Sequence, residues 1–188
     1  MTALEFKTKA RALVEVESGK ELFEIALYAA DEKSPTTEDG SCRGSGESKE
    51  DHFGTYELIS LSNDKVLART RLGKSFRFRE DSVEGATVLS LTKPDKSFVV
   101  ISQYGSCMST AYYFYRMDSS GKFHSIKFIA KSKRYDSING KGLDVIGDKI
   151  VAFIFDRSVT DGTSREFYKF DGRNMVLSET IPGWGEDN

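Results

Sequence analysis

The 188-residue chain is poor in proline, tryptophan and cysteine, and each scarcity narrows what it can be. Three prolines against 13 Phe and 8 Tyr leave few strand breakers in an aromatic-rich chain, which favours β structure. The two cysteines, Cys42 and Cys107, permit one disulfide at most. With His52 and His124 they are too widely separated for a zinc spacing, so no metal is expected. No apolar run approaches the roughly 18 residues that span a bilayer, and "MTALEFKTKA" lacks the apolar centre of a signal peptide. A net charge of -2 offers no footprint for nucleic acid, whose phosphates call for a basic surface. The densest basic patch, Lys127, Lys131, Lys133 and Arg134, reads as a solvated strand end and loop. A G-x-S-x-G elbow is absent, and "GSG" at 44–46 has no Lys-Ser/Thr after it to cradle phosphate, so no cofactor is expected.

What is present is a rhythm of short β-rich runs and turns. "ELFEIALY", "TYELISL", "SFVVIS", "AYYFYRM", "KIVAFIF" and "REFYKF" are bounded by turn signals such as "SNDK", "DSSGK" and "FDGRN". "FKTKARALVEVE" is the best helical candidate, but Val14 and Val16 alternate with glutamates, so it too reads as strand. One all-β domain over 1–188 is expected, an antiparallel meander of about 11–12 strands.

The runs also recur. Asp95-Lys96 returns 53 residues later as Asp148-Lys149, and Tyr115-Arg116-Met117-Asp118 returns at the same spacing as Tyr168-Lys169-Phe170-Asp171. Phe114 maps to Phe167 and Ile101 to Ile154. Three copies follow, near 19–72, 95–147 and 148–180, the first enlarged by a polar loop over 31–53. "YFYRMDSSGKF" and "EFYKFDGRNM" resemble, in pattern, the middle hairpin of a β-propeller blade, which implies a propeller-like closure. A sandwich or barrel of duplicated meanders satisfies the same pattern. Alternation puts Tyr113, Tyr115 and Met117 on one face of their strand and Tyr112, Phe114 and Arg116 on the other, so both faces bury something.

Three loops then align: 31–53, 103–110 and 156–164. They hold both cysteines, each in a Gly-Ser-Cys triplet, and Cys107 with Tyr104, His52, Asp156 and Asp161 forms the candidate binding set. A Cys42–Cys107 disulfide would pin the longest loop, contribute on the order of 4 kcal/mol and imply an oxidising compartment. Free thiols in a cytoplasmic protein are the competing reading. The expectation is a non-enzymatic binding domain, an exported bacterial protein whose partner is another protein or a cell-envelope component. One alternative is a hydrolase or transferase with Cys107 as nucleophile, His52 as base and Asp156 or Asp161 orienting it. A second is a carbohydrate- or calcium-binding module using tyrosines and acidic loops. The 31–53 insertion is open between a functional loop and an unstructured one.

Overall fold

The computed structural model describes residues 1–18, 21–34, 36–38, 48–79, 85–91, 97–106, 109–155 and 162–183. Fifteen strands and one short helix make up these residues, so the chain is all-β and antiparallel in its main pairings. Three strands, β3 (Thr36–Glu38), β10 (Lys133–Tyr135) and β11 (Ile138–Gly140), are only three residues long, too short to stand out in the sequence pattern.

The remaining strands form three four-stranded meanders. The first is β1 (Ala12–Ser18), β2 (Glu21–Tyr28), β4 (Ser48–Ser62) and β5 (Lys65–Arg79). The second is β6 (Gly85–Ser90), β7 (Ser97–Ser106), β8 (Ser109–Met117) and β9 (Phe123–Ala130). The third is β12 (Gly142–Ile146), β13 (Lys149–Phe155), β14 (Thr163–Phe170) and β15 (Asn174–Pro182). The first stands in a five-stranded sheet; the other two share a sheet of ten, because β15 pairs in parallel with β9.

That ten-stranded sheet nearly closes on itself. β11 pairs with β8, and Lys141 N donates to Phe153 O of β13 at 2.6 Å, tying the two sides together. The approach requires glycine at 140, where a Cβ would stand 2.8 Å from the Phe153 carbonyl oxygen. Inside lies a chain of aromatic contacts. Phe114 meets Phe128 edge-to-face with centroids 5.2 Å apart, and Phe128 meets Tyr168 the same way at 5.2 Å. Each such pair adds about 0.5–1.5 kcal/mol beyond the burial itself. Closure is barrel-like; no ring of radial blades is described.

The second meander is buried on both faces, as the aromatic alternation requires. Val99, Ile101 and Tyr115 pack against the first meander with Tyr113 and Met117. Phe98, Val100 and Phe114 face the third meander with Tyr112. Burial pushes the Tyr115 hydroxyl well above its ordinary value.

Several expectations need correction. The stretch read as one strand from Phe6 onward begins instead as α1 (Ala3–Lys9). Thr2 and Glu5 form a capping box: Glu5 N donates to Thr2 Oγ1 at 3.2 Å, and Thr2 N donates to Glu5 Oε2 at 2.6 Å. Ala3 and Phe6, spaced one turn apart, cover the outer face of the first meander against Ala26, Ile59 and Leu61. The runs "VLARTRL" and "SFRFR", which composition reads as two, are one strand, β5. Gly73, at φ +70, lies where the register against β4 slips, so it marks a bulge rather than an end. The 31–53 segment is not wholly loop: β3 pairs with the start of β4, and Lys33 bridges Phe53.

The repeat spacing is not uniform either. Tyr115 faces Val99, while Tyr168 faces Ile150, so β7 and β13 are offset by 51 residues where β8 and β14 are offset by 53. Ile101 therefore corresponds to Ala152 rather than Ile154. A slip of two leaves every side chain on the same face, which is why the pattern survives it. No helix of the described residues is long and apolar enough to cross a membrane.

Candidate functional site

Two turns, 53 residues apart, face a common cleft. The turn between β8 and β9 is organised by Asp118. Its Oδ1 accepts from Ser120 N at 2.9 Å, Ser120 Oγ at 2.6 Å and Lys122 N at 3.1 Å, and its Oδ2 lies 2.6 Å from His124 Nε2. The Ser120 hydroxyl, then His124, hold this carboxyl well below the usual carboxylate range. The turn between β14 and β15 is built the same way. Asp171 Oδ1 accepts from Asn174 N at 2.6 Å and Arg173 N at 2.8 Å, and these bonds lower its pKa.

Between the turns opens a cleft of about 710 Å³. Arg116 and Met117 come to it from the end of β8, His124 to Lys127 from β9, Arg134 from β10, and Gly172 with Arg173 from the second turn. Five basic side chains thus meet one carboxylate, in a chain whose net charge is -2. Lys127 is spoken for by Asp136 at 2.7 Å, and His124 by Asp118. Arg116 lies over the Phe170 ring at 5.6 Å, and Arg134 reaches only the amide oxygen of Asn174, at 3.5 Å. Among the described residues, no carboxylate lies within ion-pair distance of Arg116, Arg134 or Arg173.

One wall of this cleft is anchored. Gly121, at φ +82, sits against β4 so closely that a Cβ would stand 2.7 Å from Ser60 Oγ. Phe123 N donates to Thr70 Oγ1 of β5 at 3.1 Å. The Asp118 turn is thereby docked on the first meander.

The binding set expected from the sequence is only partly placed. Cys42, Cys107, Asp156 and Asp161 lie outside the described residues, and with them the disulfide and the cysteine nucleophile. Tyr104 holds a ladder position on β7 opposite Thr110. His52 lies on β4 opposite Phe78, in a polar cluster of its own. Its Nδ1 stands 2.8 Å from Ser34 Oγ and 3.2 Å from Glu32 Oε1. The other oxygen of Glu32 accepts from the buried Tyr56 hydroxyl at 2.5 Å, and Arg11 approaches Glu32 at 3.5 Å. Both short contacts of His52 use one nitrogen, so Ser34 and Glu32 do not form a relay through the ring.

Strand directions place the cleft away from the aligned loops. β7, β9, β13 and β15 run the same way, so the ends at Ser106 and Phe155 lie opposite the Asp118 and Asp171 turns. The alternation that His124 shares with Ile126 and Phe128 reads as a packed or edge histidine, and it lies exposed past the core's edge. Lys127 and Arg134 were legible as a basic patch. Their companions Arg116 and Arg173 were not, because they come from separate meanders. The one available signal was the matching Asp118 and Asp171 turns. A smaller cavity of about 420 Å³ between β1 and β6 has Glu15 and Glu17 on its wall. Among the described residues no three His, Cys, Asp or Glu side chains gather to hold a metal.

Set against protein-family models, curated proteins and solved structures, the chain finds no match in any of the three.

Proposed function

We propose that this chain is a non-enzymatic binding domain that receives an anionic partner in the cleft between the Asp118 and Asp171 turns. The supporting observation is the charge imbalance: three guanidiniums without carboxylate partners among the described residues line one cavity with a single, fully engaged carboxylate. Planar guanidinium forks match carboxylate and phosphate oxygens, two N–H donors to two acceptors. The reading is tested by thermal shift with pyrophosphate and hexaglutamate. At least one should raise the melting temperature of the wild type, and the Arg116→Gln/Arg173→Gln double variant should lose the rise. A flat response to both anions, or an undiminished rise in the variant, removes the basis for the cleft.

A second reading, the Cys107 enzyme, has one observation in its favour. His52 Nδ1 stands 3.2 Å from Glu32 Oε1, a carboxylate placed to orient a histidine base. Iodoacetamide labelling at neutral pH addresses it together with export. Unreduced protein with two slowly alkylated thiols would count against both the nucleophile and the disulfide on which an exported location rests.

A further inference from the structure

We infer that the ligand of the cleft is a phosphate monoester carried on a small organic group. The inference rests on the proposed reading of the cleft as the binding site and specifies its ligand.

Size comes first. A cavity of about 710 Å³ falls within the roughly 300–1,000 Å³ of small-molecule sites, so it has room for a compact ligand. Charge comes second. Asp118 is already engaged at both oxygens, Oδ1 by Ser120 and Lys122 and Oδ2 by His124. Arg116, Arg134 and Arg173 therefore present positive charge that the described walls do not offset. A single carboxylate would leave most of it uncompensated, whereas a phosphate monoester brings a charge of about -1.5 to -2 at neutral pH and three acceptor oxygens. Donor chemistry comes third: beside the arginines, Ser119 and Ser125 also line the cleft. The last point is the apolar wall. Met117, half-buried, stands among these cations and gives an organic group an apolar side chain to cover. Inorganic phosphate would use the donors and leave that wall wet.

The test is calorimetric titration of the full chain with phenyl phosphate, benzoate, inorganic phosphate and hexaglutamate. Phenyl phosphate should bind about tenfold tighter or more than benzoate and than inorganic phosphate, a margin of about 1.4 kcal/mol. Arg173→Gln should weaken it by a similar factor. Arg173 is on an exposed turn, so this variant keeps the fold; Arg116→Gln is the second probe, with its melting temperature recorded because Arg116 rests on Phe170. Equal binding of benzoate overturns the phosphate assignment, and equal binding of inorganic phosphate overturns the organic group. Arginine-dependent binding of hexaglutamate alone overturns the ligand class while leaving the cleft as an anion site. Binding of phenyl phosphate that neither variant weakens places it elsewhere and overturns the inference. Silence from all four anions overturns the inference and the proposed function together.

Discussion

Phe114 and Phe167 hold matching places on the third strands of successive meanders, β8 and β14, and their surroundings differ. Phe114 points from the second meander into the barrel and is 1% exposed, enclosed by Phe98 and Phe128. Phe167 points away from the barrel; it is 8% exposed, and Lys149 Nζ stands 5.3 Å above its ring. Their neighbours Tyr115 and Tyr168 both face the preceding meander and are both buried. So the second and third meanders each offer an aromatic forward and an aromatic back, but among the described residues no further meander packs on the third. A long cationic side chain serves there as a roof, its methylene stem covering the ring while its charge stays in water. At the other end of the molecule, the first meander has no predecessor, and α1 covers that face with Phe6.

The largest expected effect breaks this pair apart. Phe114→Ala should cost about 3–5 kcal/mol in urea unfolding, because a rigid aromatic cage cannot collapse around the void. Phe167→Ala should cost only about 1.5–3 kcal/mol, close to the transfer of a ring alone, since a flexible side chain can fall into its place. Equal losses would show that the two faces are packed alike.

A smaller effect sharpens the account of the roof. Lys149 also pairs with Glu179 at 3.4 Å. Lys149→Met keeps a stem over Phe167 and removes the charge, so stability should fall by about 0.5–1 kcal/mol. A loss as large as that of Phe167→Ala would mean that charge, not cover, holds that face.

The smallest effect compares the two turns. The carboxyls of Asp118 and Asp171 titrate below their ordinary value near 3.8 in the folded chain. Each therefore contributes stability that is fully present above pH of about 4 and is lost as pH falls further, where the unfolded chain binds more protons. Both are largely exposed, so the contribution is modest. Asp118, with His124 and Ser120 on it, should give the steeper acid slope. Melting temperatures of Asp118→Asn and Asp171→Asn from pH 5 to pH 2 check the order: the first should flatten the curve more.

Strand alternation made the two-faced second meander legible, since Tyr113 and Tyr115 against Tyr112 and Phe114 admit no other division. The all-β class and the Asn63–Asp64 hairpin turn, with both residues at positive φ, followed from local composition as well. α1 was missed because seven residues hold barely two turns of periodicity; the Thr2–Glu5 box was the better signal. The barrel closure was hidden for another reason. It depends on β11 and on the parallel β9–β15 contact, both only three residues long and fixed by tertiary approach. The cleft was hidden likewise, for no sequence window contains both Arg116 and Arg173.

The seating of Gly121 against Ser60 has a mechanical consequence. One jaw of the cleft is bolted to the first meander, whereas a Cβ at Gly172, on the opposite jaw, would meet nothing within 4 Å. The Arg173 jaw has open space where the docked jaw has none, so a side chain added at 172 is accommodated and one added at 121 is not. The bolted jaw sets the gauge.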